Sequence, residues 1–283
     1  MTEPFDLTFD PLGPFTPWVP RVPGCASAEV VVHLEDWTLM SIALVTGSTR
    51  GLGFATARAL SRSGSRVIVT GRARADAEAA AELLRAEGLE ADGIALDVTS
   101  SASIAAAAEH VRQRHGHLDV LVKNAGVLPE GFDTGQHDFA NPALFQVTFA
   151  TNVFGAVAVT EAFLPLLRRS AMARIVNMSS SVGSLSQQAD PNSQYYQMIV
   201  PAYQSSKAAL NSITIGLAKT LVNTGIKVTS VCPGFVQTDL TPINREQAPL
   251  TADQAAAVVV AAAHLPADAP SGTFIEQSGS IAW

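Results

Sequence analysis

Cysteine is nearly absent: 283 residues carry only Cys25 and Cys232. Two thiols cannot build the disulfide framework of a small secreted scaffold, and they suit a reducing cytosol. Cys232 ends an apolar strand, where a small buried hydrophobe is the expected role. Charge is scarce, at 15% of residues, and leans acidic for a formal net charge of −7, with an isoelectric point near 5.3. A nucleic-acid partner calls for the opposite sign and is excluded. The longest unbroken run of small apolar residues, Ala255 to Ala263, is too short to cross a bilayer. Met1-Thr2-Glu3-Pro4 lacks a basic leader, so no signal peptide and no membrane partner are expected. No metal site is expected either. His115-Gly116-His117 is the one close histidine pair, and it sits in a helix-to-strand turn without a cysteine or carboxylate cluster. Asn177-Met178-Ser179 spells a glycosylation sequon that a cytoplasmic chain does not use.

What is present is a globular composition, 47% hydrophobic, on a length that suits one large α/β domain. Strand-like and helix-like segments alternate, as a doubly wound parallel sheet requires. Seven strands are predicted, near Ile42–Thr46, Arg66–Thr70, Gly93–Asp97, Asp119–Lys123, Ala173–Met178, Lys227–Cys232 and Thr273–Glu276. Alanine-rich helices are predicted at Ala75–Glu87 and Ala102–Arg114. Residues 1–39 differ, with prolines at positions 4, 11, 14, 17, 20 and 23 that forbid regular structure. They form a proline-rich extension ahead of a domain at 40–283. Translation starting at Met40 and a tail that docks Trp18 or Trp37 on the domain are both compatible with the sequence.

Two segments carry chemistry. In Ile42-Ala43-Leu44-Val45-Thr46-Gly47-Ser48-Thr49-Arg50-Gly51-Leu52-Gly53 an apolar strand runs into a glycine-rich turn and an amphipathic helix. Gly47 permits the turn, Gly51 lets backbone approach a pyrophosphate, and Gly53 lets helix meet strand. Amides at the helix start then face the phosphates. Far downstream, Tyr203 and Lys207 stand four apart in a helical stretch, one turn, so a phenol and an ammonium share a face. A neighbouring cation favours the phenolate, and bringing a tyrosine from about 10 to near neutrality takes roughly 4 kcal/mol of such preference.

These segments resemble the short-chain dehydrogenase/reductase family from about residue 40 to the C-terminus. Thr46 through Gly53 is similar to its cofactor loop, Asn124-Ala125-Gly126 to its strand-end motif, and Pro233-Gly234 through Thr238, with Val236 inside it, to its Pro-Gly-x-x-x-Thr segment. Asn152, Ser180, Tyr203 and Lys207 match its catalytic tetrad, in family order. The resemblance implies a Rossmann-type domain that binds a nicotinamide dinucleotide, with Asp97-Val98 holding the adenine. It also implies a proton from Tyr203 to a carbonyl oxygen, Ser180 as oxyanion donor, and Lys207 binding the nicotinamide ribose and lowering the Tyr203 pKa. Asn152 would anchor a water that feeds protons to Lys207. Ser180 is chosen over Ser179 and Ser181 by that alignment and by strand-end parity. Tyr195 and Tyr196 have no lysine four residues on.

Cofactor choice follows from charge. The second strand is followed by Gly71-Arg72, with no acid before Asp76, and Arg50 is a second nearby cation. Two guanidinium groups suit a 2′-phosphate, so NADP(H) is expected over NAD(H). Two departures stand out. The family carries Asn before Asn-Ala-Gly, where this chain has Lys123. The stretch from Ser180 to Tyr203 is long, and its segment from Gln187 to Pro201 resembles the insertion of the carbonyl-reductase branch, as does the Gly272 to Trp283 terminus. That insertion is expected to wall the substrate pocket and weaken tetramer formation, leaving a monomer or homodimer. Phe132, Phe139, Tyr196, Met198, Phe235 and Leu240 suit either a hydrophobic substrate or core packing. The expected function is NADPH-dependent reduction of a small, fairly hydrophobic carbonyl compound in the cytoplasm, or oxidation of the matching secondary alcohol. The alternative is a catalytically idle NADP(H)-binding sensor, against which the intact tetrad argues.

Overall fold

The computed structural model describes residues 40–283; the extension, with Cys25, Trp18 and Trp37, lies outside the described residues. The apolar runs form strands β1 (Ile42–Val45), β2 (Arg66–Gly71), β3 (Ala91–Ala95), β4 (Val120–Lys123), β5 (Arg174–Met178), β6 (Lys227–Val231), β7 (Thr273–Glu276) and β8 (Gly279–Ser280). The helices are α1 (Gly51–Arg62), α2 (Arg74–Ala86), α3 (Ser101–His115), α4 (Pro142–Phe149), α5 (Ala156–Leu167), α6 (Leu185–Ala189), α7 (Pro201–Thr220), α8 (Pro242–Gln247) and α9 (Ala252–Ala263). Their sheet runs β3-β2-β1-β4-β5-β6-β7-β8. It is parallel throughout except for β8, which pairs antiparallel with β7.

Alternation along each strand sends successive side chains to opposite faces. Ile42 and Leu44 of β1 join a cluster with α3, α5 and α7, including Val111, Phe163 and Ala218. Ala43 and Val45 join the other, with Leu60 of α1, Leu84 of α2 and Val259 of α9. Burial on both faces explains why these strands read as continuous apolar runs rather than alternating ones.

Two expectations are corrected. The sheet has eight strands rather than seven, because a two-residue hairpin partner at Gly279–Ser280 has no hydrophobic pattern to betray it. The third strand lies earlier than expected, pairing from Val67↔Ala91 to Gly71↔Ala95. Asp97 is outside it, in a turn where its carboxylate accepts from the Thr99 amide at 2.9 Å and hydroxyl at 2.7 Å. One helical rod, Pro142–Leu167, is long and apolar enough to cross a membrane. Its apolar content has a local reason: Val153, Val159, Phe163 and Leu167 are buried in the domain.

The parallel strands end at one edge, and strand order reverses between β1 and β4. In open α/β sheets the crevice at such a reversal is where ligands bind.

Candidate active site

The glycine loop crosses this crevice. Gly47 and Gly51 have φ of 62° and 55°, which side chains resist. A Cβ on Gly53 would stand 2.4 Å from the Gly47 carbonyl oxygen and 2.5 Å from Asn124 Nδ2, so only glycine lets α1 start there. Ser48 fastens the loop: its hydroxyl donates to the Val45 carbonyl at 2.7 Å and accepts from the Thr70 amide at 2.9 Å. Thr49 packs its methyl toward Gly71, and Leu52 packs on the core. Arg50 offers α1 no side-chain cap, since a guanidinium has no acceptor for the first-turn amides, and it pairs with Asp239 at 2.5 Å. First-turn amides of a helix have no partner within it, so Gly51 and Leu52 present donors at the positive end of the dipole. This cradle fits a dinucleotide pyrophosphate.

The end of β4 ties the loop to the rest of the site. Asn124 Nδ2 donates to the Thr46 and Gly47 carbonyls, both at 2.9 Å, and the Ala125 amide donates to Thr46 Oγ1 at 2.9 Å. Asn152 lies in a π-helical turn, Ala150–Gly155, between α4 and α5. Such widened turns concentrate at functional sites. Its Oδ1 accepts from the Val127 amide at 2.9 Å, while Nδ2 donates to the Val127 carbonyl at 3.0 Å and Ser206 Oγ at 3.1 Å. A Cβ on Gly126 would stand 3.5 Å from Asn152 Oδ1 and 3.7 Å from Lys207 Nζ, so both groups border one backbone position.

The three serines after β5 part company. Ser179 donates to Asn211 Oδ1 at 2.6 Å, and Ser181 donates to Cys232 Sγ at 3.1 Å and Glu276 Oε2 at 3.4 Å. Both are buried. Among the described residues the Ser180 hydroxyl accepts only from the Val182 amide, at 3.4 Å, and keeps its proton to give.

Helix α7 brings Tyr203 and Lys207 together, with Nζ 5.3 Å from the ring centroid. Lys207 donates to the Met178 carbonyl at 2.7 Å. Burial pulls its pKa down to about 8, and burial, followed by the nearby Cys232, pushes Tyr203 well above the ordinary phenol value. Desolvation, and not the lowering that the resemblance implies from Lys207, sets the direction of this shift. Among the described residues the Tyr203 hydroxyl makes no hydrogen bond, and neither do the other two protons of Lys207.

The loop after β6 closes the far side. Thr238 lies against Gly51, Cγ2 being 3.6 Å from where a Cβ would stand. Gly234, at φ 84°, turns the chain after Pro233, and buried Val236 bridges to Leu250. At the β2 end Arg72 makes no ion pair among the described residues, and it lowers the pKa of Asp97 only after the Thr99 bonds do so. Val98 packs against Gly155, next to the Asn152 turn.

Phe132, Phe139, Tyr196, Met198 and Phe235 are exposed and Leu240 is half-buried, so core packing does not explain them. In the insertion, Tyr195 hydrogen-bonds Ser181 and burial raises its pKa. Gln188 and Ile199 of the insertion, however, border a cleft of about 510 Å³ with Phe139, Leu185, Gln204, Ser205 and Ala208. At about 100° per residue, Ser205 and Ala208 face away from Tyr203, so this part of the insertion covers the back of α7. Sequence reasoning missed Asp239, which engages Arg50, and Glu130, which accepts from the Ala202 and Tyr203 amides. Both act across the fold, and no local pattern marks them. Among the described residues no group of side chains could hold a metal ion.

The short chain dehydrogenase family model matches residues 41–249. Short-chain dehydrogenase anuI of Penicillium roqueforti is 37% identical over 207 residues, covering 70% of this chain and 79% of that protein. The (+)-neomenthol dehydrogenase of Arabidopsis thaliana is 31% identical over 287 residues, covering 83% and 95%. An NADPH-bound carbonyl reductase from chicken fatty liver superposes with a TM-score of 0.74 at 27% identity, covering 87% and 99%. The chain therefore belongs to the short-chain dehydrogenase/reductase family, oxidoreductases acting on CH–OH and C=O groups.

Proposed function

We propose that the protein is an NADP(H)-dependent carbonyl reductase for a small, fairly hydrophobic aldehyde or ketone, acting in the cytoplasm as a monomer or homodimer. The observation that carries this reading is a phenol that makes no hydrogen bond among the described residues, beside an ammonium that makes one. Burial keeps the proton on Tyr203, so the phenol is present to donate to a carbonyl oxygen, although the raised pKa alone makes it a weaker acid. Ser180 donates to the same oxygen as charge develops there. Lys207 stabilises the phenolate left behind, and Asn152 holds the backbone between it and β4. A bound nicotinamide supplies the hydride. The exposed aromatic residues around the loops favour an apolar substrate, and the insertion behind α7 covers a face that a tetramer would use.

For NADP(H), the support is the cationic end of β2. Arg72 and Arg74 make no ion pair among the described residues, and Arg74 opens α2, whose positive dipole end also favours an anion. The chicken liver reductase is NADPH-bound. Arg50 must exchange Asp239 for a phosphate, so Arg72 carries more of the preference. Arg72→Ala is expected to raise the KM for NADPH about 10–100-fold, the worth of a charge-assisted phosphate contact, and to leave NADH nearly unchanged. Arg50→Ala should cost less. Initial rates with both cofactors check this, and equal losses for NADPH and NADH would sink the assignment.

Reduction should also lose rate as pH rises through about 8, the Lys207 value. A base with a depressed pKa sheds its proton above that pH, and a neutral amine no longer favours the phenolate. The decisive assay measures NADPH and NADH oxidation across aldehydes, ketones and quinones. Turnover that prefers NADPH is expected; binding of both cofactors with no carbonyl reduced would overturn the reading.

A further inference from the structure

Helix α7 starts without a cap of its own, because Val200 offers its first turn no side-chain acceptor. The amides of such a turn need partners from elsewhere. Two of them find one carboxylate: the Ala202 N–H donates to Glu130 Oε1 at 3.0 Å and the Tyr203 N–H to Oε2 at 2.8 Å. Glu130 belongs to the short 3-10 turn Pro129–Phe132, 73 residues before Tyr203. The segment leading to it has already gripped the glycine loop through Asn124 and Ala125 and the Asn152 side chain through Val127. One strap thus touches the cofactor cradle, the π-helical turn and the helix of the phenol in succession.

We propose that Glu130 is a positioning residue of the active site: it clamps the first turn of α7 at Tyr203 itself and so fixes the phenol in register with the cofactor loop. The proposal rests on the reductase reading above. A carboxylate is suited to the task, since it accepts from both amides at once and complements the helix dipole. Sequence-local caps hold a helix to its own preceding turn, whereas this one holds it to a different edge of the site.

The test uses the full chain with Glu130→Ala and Glu130→Gln. Misplacing a reacting group by about 1 Å can cost about 100-fold, so the alanine variant is expected to lose kcat by about 10–100-fold. Its KM for NADPH should stay within about threefold, because the cradle is untouched. Glutamine retains an acceptor for one amide, and its kcat should lie within about threefold to fivefold of the parent. Unchanged kcat in the alanine variant overturns the proposal. So does a parallel loss of kcat, cofactor affinity and melting temperature that glutamine does not relieve, since that is mere fold support.

A second readout separates this idea from the reading it rests on. The ultraviolet titration of tyrosinate, taken as the difference between each chain and its Tyr203→Phe counterpart, reports Tyr203 without turnover. A loosened first turn admits water, which lowers a phenol pKa raised by burial. A downward move of about one unit is expected for alanine and about half a unit for glutamine. If the parent chain reduces no carbonyl, the functional reading fails, and the titration still decides Glu130. An unmoved midpoint in the variants overturns the clamp, and glutamine alone decides it should the alanine chain not fold.

Discussion

Tyr203→Phe is expected to lower kcat for carbonyl reduction by about 10²–10⁴-fold, the usual worth of a positioned general acid. Among the described residues, the phenol is the one group in the site that combines a raised pKa with a hydroxyl that makes no hydrogen bond. Phenylalanine keeps the ring, so Lys207, 5.3 Å from the centroid, retains its cation–π contact. The fold and the cradle should be unaffected, with melting temperature nearly constant and NADPH affinity within about threefold. The loss therefore falls on kcat and not on cofactor binding. Steady-state rates of NADPH oxidation, together with cofactor titration by fluorescence, check both halves. A variant that retains more than a tenth of the parental kcat would show that the proton comes from elsewhere.

The two groups of that variant's contact were legible because one helical turn separates them and a helix brings residues four apart together by its own geometry. The same holds for the glycine loop, where strand, turn and helix follow within a dozen residues and Gly53 is demanded by contacts as close as 2.4 Å. The apolar runs of the strands were equally local, which is why seven strands could be placed, six of them to within one residue at either end, whereas β3 lies two residues earlier than expected and the two-residue β8 was not foreseen. What sequence could not show are links made by tertiary contact. Asn152 meets Val127 and Ser206 only because a π-helical turn swings it inward. Asp239 meets Arg50 from 189 residues away, and Glu130 meets α7 across a strand-end crevice. Even the sign of the Tyr203 shift was hidden, since proximity to a lysine argues one way and burial, which only the fold fixes, argues the other.

Lys123→Met is expected to stabilise the fold at pH 7, and by less at pH 10. Lys123 stands where the family motif carries asparagine, and it is only 4% exposed. Its Nζ donates to Thr160 Oγ1 at 2.5 Å and to the Ala156 carbonyl at 3.4 Å, with no carboxylate among its partners. Burial alone pulls its pKa down to about 7, against about 10.4 in an unfolded chain. Between those values the unfolded chain holds a proton that the folded one gives up, so this residue makes stability rise with pH from about 7 to about 10. Below that window its full penalty applies, and above it the penalty vanishes. A gap of about three units corresponds to on the order of 4 kcal/mol. Methionine has a similar unbranched stem, and Thr160 keeps a partner, donating to the Ala156 carbonyl at 2.7 Å. The lost lysine hydrogen bonds offset about 1 kcal/mol of the gain, leaving about 2–4 kcal/mol at pH 7. Denaturant midpoints of parent and variant at pH 7 and pH 10 measure the difference, which cancels every other titrating group common to both chains. A gain equal at the two pH values would mean that Lys123 keeps its charge in the fold. Ala156 is where the helix returns from the π turn that carries Asn152, so the ammonium braces the carbonyl at that junction.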